Sequence, residues 1–126
     1  MPVPQIVTVI GYFSVPVANA AAFRKNCAEM IDLRKKETGH LASAYSFGAD
    51  GTAVSREDYD SAHALIRHME VGSHISESKQ TLVEITEVEM HGPAGEIAKL
   101  PGPFAWLAAR FCHRVWVSLS KPRVGS

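Results

Sequence analysis

The chain has 126 residues, of which 46% are hydrophobic and 21% charged, and 13 basic residues balance 13 acidic ones. That length and composition suit one domain with a buried core of its own. A net charge of zero gives no field to recruit nucleic acid or an anionic membrane.

Met1-Pro-Val-Pro-Gln5 lacks the basic and apolar regions of a signal peptide. Ile6 to Val15 reads as a strand, rich in β-branched and aromatic residues and closed by Pro16. Val17 to Glu37 then changes period: Ala20, Phe23, Cys27, Met30 and Ile31 recur at helical spacing, with Leu33 at the edge of the stripe. Asn19 is placed to cap this helix, Lys35-Lys36 suit its negative end, and Gly39 stops it. Leu41 to Phe47 alternates, with Leu41, Ser43, Tyr45 and Phe47 on one face. Gly48-Ala-Asp-Gly51 is a hairpin signal, with Asp50-Gly51 suited to positive φ, and the return strand runs from Thr52 to Tyr59. Asp60-Ser61 opens a second helix on the stripe Ala62, Leu65, Ile66 and Met69. Gly72 breaks it, Ser73 to Gln80 resumes for a turn or two, and Leu82 to Met90 is a fourth strand ended by His91-Gly-Pro93.

This β-α-β-β-α-β order is the split βαβ arrangement of an α+β, ferredoxin-like domain, expected over residues 1–100. Past Pro101-Gly-Pro103, Phe104 to Leu119 has helical periodicity, so residues 101–126 are expected to add a C-terminal helix and a frayed tail. Cys27 and Cys112 both sit in apolar-periodic stretches and read as buried hydrophobes. With no disulfide framework and no apolar run long enough to span a bilayer, a cytoplasmic protein is expected. A split-βαβ sheet has helices on one face only. With Tyr12, Tyr45 and Phe47 or their alternates on the other, burial against a second copy is expected, giving a homodimer built as a dimeric α+β barrel.

Arg56-Glu-Asp-Tyr59, followed at once by a helix carrying His68 and then His74, resembles the centre of the antibiotic biosynthesis monooxygenase-like family. Thr8 to Pro16 is similar to that family's first strand, Glu37-Thr-Gly39 to the break before its second, and Glu87 to Gly92 to its last. The resemblance implies a dimeric α+β barrel, with His68 and His74 at a pocket and Tyr59 where many members carry tryptophan. The same frame hosts cofactor-free oxygenases, haem-degrading enzymes, polyketide cyclases and isomerases, so it does not fix the chemistry. The asparagine and tryptophan of the haem-degrading and antibiotic-pathway branches have no counterparts here; Trp106 and Trp116 lie outside the matching region.

His68 and His74 are six residues apart, about 240° around a continuous helix, so they share a face only if Gly72 bends the chain. Each is either a proton acceptor for a phenol or enol near neutral pH, or a surface or capping residue. Tyr59 either walls a pocket and donates to a substrate oxygen or packs in the core or a dimer interface. Arg56 lies on the opposite strand face from Glu57 and Tyr59, to hold a substrate anion or to stand ion-paired in solvent. Tyr12 and Tyr45 are candidate pocket walls. His40, His63, His91 and His113 read as surface residues. No third ligand accompanies His68 and His74, and no nucleotide-binding loop, G-x-S-x-G elbow or RNA-binding strand signature occurs, so no metal or cofactor is expected. The expected activity is that of a cofactor-independent monooxygenase for an aromatic, phenolic or quinol-type substrate. A polyketide cyclase or isomerase and a non-catalytic dimer binding a small aromatic or polyketide-like ligand are the alternatives.

Overall fold

The structure, a computed structural model, describes residues 5–71, 82–100 and the strand 115–120. Strand β1 (Val7–Ser14) leads through a short 3₁₀ turn (Val17–Asn19) into α1 (Ala20–Arg34). The hairpin β2 (His40–Phe47) and β3 (Thr52–Tyr59) follows, then α2 (Ala62–Val71), β4 (Glu84–Pro93), the single turn α3 (Ala94–Ile97) and β5 (Val115–Ser120). The sheet order is β2-β3-β1-β4-β5, and its first four strands pair antiparallel, which is the split βαβ frame.

Strand alternation sorts the sheet into two faces. Val7, Gly11 and Phe13 of β1, Ala53, Ser55 and Tyr59 of β3, and Val88 and Met90 of β4 are buried beneath the helices. One core cluster joins Val7, Tyr59, Ala62, Leu65, Val88, Met90 and Leu100; a second joins Phe13, Phe23, Cys27, Ala53 and Val83. Gly51 supplies the positive φ of the hairpin (+85°). Asp50 does not share that conformation; its Oδ1 instead accepts the Thr52 N–H at 3.1 Å. Asn19 does not cap α1 either. Its Nδ2 donates to the Leu82 carbonyl at 2.9 Å, tying the helix start to the segment before β4.

Two further expectations are corrected. Val115–Ser120, placed by periodicity within a C-terminal helix, is a strand running parallel to β4 from Val88↔Val115 to Pro93↔Ser120. Two valines, a tryptophan and a leucine in six residues suit a pleated surface, and β4 otherwise offers an unpaired edge to recruit them. The rest of the expected helix, the turns over 73–80, Cys112, His113 and the tail lie outside the described residues. The second correction concerns the sheet face away from the helices. Tyr45 and Phe47 point to the helices, where Phe47 meets Phe23 with ring centroids 6.0 Å apart. The open face is polar: Thr8 donates to Asp58 at 2.6 Å, and Glu89 accepts from Tyr12 at 2.9 Å and faces His91 at 3.1 Å. Among the described residues no helix is long and apolar enough to cross a membrane.

Candidate active site

On α1 the buried stripe Phe23, Cys27, Met30 continues one turn further to Arg34, which is only 2% exposed. A guanidinium on a buried face must find partners. Arg34 ion-pairs through Nη2 with Glu57 of β3 and donates through Nη1 to Ser43 Oγ of β2 at 2.6 Å; its Nε reaches His68 Nε2 at 3.4 Å. The ring of Tyr45 lies alongside, 5.7 Å from the guanidinium carbon to its centroid. Glu57 arrives because alternate β3 residues face the helices, and its second oxygen accepts the Tyr59 hydroxyl at 2.8 Å. Burial first, and then the Glu57 carboxylate, push the Tyr59 phenol far above its ordinary value, so it stays a protonated donor.

His68 enters from α2, where Ala62, Leu65 and His68 follow at three-residue spacing and are all buried. Glu37, just past α1, sets both carboxylate oxygens on His68 Nδ1 at 2.9 and 2.8 Å. That carboxylate favours the proton on Nδ1 and leaves the Nε2 lone pair facing the Arg34 Nε–H. The tilted rings of His68 and Tyr59 pack at 5.7 Å. A surface or capping role for His68 is thereby excluded.

His40 joins the same cluster. The β2–β3 register shifts between His40 and Ala42, so His40, rather than Leu41, stands opposite Tyr59, and Leu41 is 53% exposed. Strict alternation, which groups Leu41 with Ser43, Tyr45 and Phe47 on one face, is therefore corrected at its first member. The His40 ring meets Tyr59 edge-on at 5.5 Å, and its Nε2 is buried with no hydrogen-bond partner among the described residues. Burial, followed by the Arg34 charge, holds His40 below the usual histidine value, so it is neutral at neutral pH.

Of the residues singled out in the sequence, Tyr59, His68 and Tyr45 converge here. Tyr12 and Arg56 do not. They lie on the open sheet face, where Arg56 is largely exposed with Nε 3.6 Å from Asp58. His74 lies outside the described residues. Arg34, Glu37, Ser43, Glu57 and His40 were not foreseen. A charge continuing the α1 apolar stripe, and Glu57 sharing the Tyr59 face, were the signals available for two of them. Among the described residues no group of three or more His, Cys, Asp or Glu side chains is arranged to hold a metal ion. A separate groove of about 290 Å³, lined by Val15, Ala20, Phe23, Phe47 and Thr52, opens at the hairpin end of the sheet, where Arg24 covers Phe47.

This frame recurs among solved structures. MupZ from Pseudomonas fluorescens superposes with a TM-score of 0.85 at 26% identity, covering 100% of this chain and 93% of its own. SnoaB from Streptomyces nogalater, a cofactor-independent oxygenase, gives a TM-score of 0.61 at 17% identity over 68% of this chain and 90% of its own. The chain has the antibiotic biosynthesis monooxygenase-like fold. Rv0793 from Mycobacterium tuberculosis shares it at a TM-score of 0.62 and 25% identity, over 71% of this chain and 95% of its own. The likeness to MupZ takes in the region beyond residue 100, whereas the other two leave nearly a third of this chain uncovered. No protein-family model matches the chain, and no curated protein matches it significantly.

Proposed function

We propose that this chain is a small acid–base enzyme, a cofactor-independent monooxygenase for an aromatic, phenolic or quinol-type substrate, acting at the cluster of Arg34, Glu57, Tyr59, His68 and Glu37. The observation that carries this reading is the buried chain Glu37–His68–Arg34–Glu57–Tyr59, which brings three formally charged groups and an imidazole between helices and sheet. Burying such a set costs more than an apolar packing of the same volume, so stability alone gives no reason for it. Proton transfer beside a fixed guanidinium does.

In this reading an imidazole of the site takes the proton of a substrate O–H, and Arg34 stabilises the resulting anion. The electron-rich ring then reduces dioxygen: one oxygen atom stays on carbon as a carbonyl, and the other leaves as water with two substrate hydrogens. Tyr59, whose hydroxyl is committed to Glu57, orients that carboxylate, and Tyr45 supplies an apolar wall. His74 remains a second candidate acid–base residue. Two copies pair through the open sheet face, where Ile10 and Tyr12 are half-buried with no described element above them.

The test is oxygen uptake with a panel of dihydroxynaphthalenes and hydroquinones. We expect uptake matched to quinone formation and reduced by about 100-fold or more in His68→Ala. Turnover that continues unchanged without oxygen would instead place the chain with the cyclases and isomerases. No turnover of any kind across the panel would leave a binding protein. Sedimentation velocity tests the pairing, and a monomer at all concentrations rejects it.

A further inference from the structure

We propose that His40 Nε2 is the proton-accepting atom of this site and that His68 is a positioning residue acting through Arg34. The inference rests on the acid–base reading above and names which group does the work. His68 has both ring nitrogens engaged, Nδ1 by the two oxygens of Glu37 and Nε2 by the Arg34 Nε–H. An imidazole held in that way orients the guanidinium but has no lone pair to spare. His40 is the opposite case. Its Nε2 is buried and meets no protein donor or acceptor among the described residues, while its ring packs against Tyr59 at the centre of the cluster.

Two separate backbone features bring it there. Gly39 adopts φ +89°, and its carbonyl accepts the Asp60 N–H at 2.8 Å, docking the start of β2 against the β3–α2 connection. A Cβ at Gly39 would stand 2.6 Å from Asp60 Oδ1 and 2.7 Å from the Ala64 Cβ, so no other residue fits without displacement. The register shift immediately after His40 then turns its ring inward and sends Leu41 to solvent. A regular β2 strand would have aimed the apolar Leu41 at the helices. The irregularity exchanges a core leucine for an imidazole, which packing alone does not favour and a proton acceptor requires.

The groups facing His40 fit the task. Arg34 comes from α1, Glu37 from the segment after it, Glu57 and Tyr59 from β3, and His68 from α2. Burial and Arg34 keep the free imidazole neutral, so the base is ready at neutral pH; Glu57 and Glu37 supply counter-charge once it has taken a proton. In the step itself the substrate O–H bond breaks and an N–H bond forms at Nε2. The products are an imidazolium at His40 and an oxyanion beside the Arg34 guanidinium, with no further reactant needed.

The test uses 4-nitrophenol, whose phenolate is coloured and whose neutral form is not, added to the full chain at a pH below the phenol's own pKa. Wild type is expected to bind it as the phenolate. His40→Gln should bind it with the ionised fraction reduced about tenfold, the equivalent of one pK unit of lost proton affinity, and added imidazole should restore ionisation in His40→Ala. His68→Gln should still bind the phenolate, more weakly. Ionisation that persists in His40→Gln but disappears in His68→Gln would overturn the assignment and leave the acid–base reading intact. Ionisation by no form of the protein would remove both. If the His40 variants do not fold, nitrogen NMR of wild-type histidines decides: the His40 Nε2 resonance must report a bare lone pair in the free protein and a bound proton after 4-nitrophenol is added. An Nε2 that carries a proton throughout rejects the proposal.

Discussion

Arg34 Nε and His68 Nε2 stand 3.4 Å apart inside the protein, where the two residues are only 2% and 5% exposed. A guanidinium beside an imidazole is tolerable there because Glu57 holds the far side of one and Glu37 the far side of the other. The four groups form one electrostatic unit, and perturbing any member reaches the rest.

Removing Arg34 alone therefore has a large and specific cost. Arg34→Met keeps the apolar stem but leaves Glu57 buried without its cation, and we expect a loss of about 3–5 kcal/mol of stability. Arg34→Met combined with Glu57→Leu removes both charges and should recover a large part of that loss. Urea unfolding of the two singles and the double reads the coupling directly. Additive effects would show that Arg34 and Glu57 do not act as a pair.

The architecture was legible because each of its signals is local. β3 falls at Thr52–Tyr59 as the residue pattern requires, and the stripes of α1 and α2 put Phe23, Met30 and Leu65 in the core. Two kinds of feature were not legible. Pairing of Val115–Ser120 with β4 is non-local, and helical periodicity in the sequence hid a strand that needs an open edge beside it. The register shift at Leu41 inverts which residue of β2 faces inward, so a strict two-residue period sends His40 to the wrong side. Of the site, His68 and Tyr59 were visible through a resemblance. Arg34 and Glu57 become visible only when helix and strand are brought face to face.

Gly39 should not tolerate a side chain. Gly39→Ala places a methyl against Asp60 and Ala64 and forces an L-residue to φ +89°, so a loss of more than about 1 kcal/mol is expected. The variant should also release His40 from Tyr59, visible as a shift of the His40 ring protons toward solvent-exposed values. A stability equal to wild type would mean that this connection is free to relax.

The hydroxyl of Tyr59 is a structural donor to the largely buried Glu57 carboxylate. Tyr59→Phe keeps the ring and removes that bond, at an expected cost of about 1.5–3 kcal/mol. Because burial and Glu57 both raise its pKa, Tyr59 should not ionise in the native protein. Spectrophotometric titration of the native protein should count the same number of ionising tyrosines in wild type and in Tyr59→Phe. An equal number ionising natively and denatured would contradict the burial of this phenol.

Acid should weaken the fold in two separable steps. Glu96, on the single turn α3, accepts the Ala62 N–H of α2 at 3.1 Å and pairs with Lys99 at 2.5 Å. It thus caps α2 from outside that helix, a role worth about 1 kcal/mol. Lys99 first, and then the Ala62 N–H, hold its carboxyl below the ordinary value. A depressed carboxyl adds stability above its unfolded pKa, and this contribution is lost as pH falls through the folded value. His40 acts at higher pH. Its folded pKa is lowered, so between the ordinary histidine value and that lowered one the unfolded chain binds the extra proton, and stability falls as pH drops. Thermal unfolding followed from neutral to acid pH should show both limbs. His40→Gln should flatten the first and Glu96→Gln the second, each leaving the other in place. If one variant removes both limbs, the two titrations are coupled and cannot be assigned to separate groups.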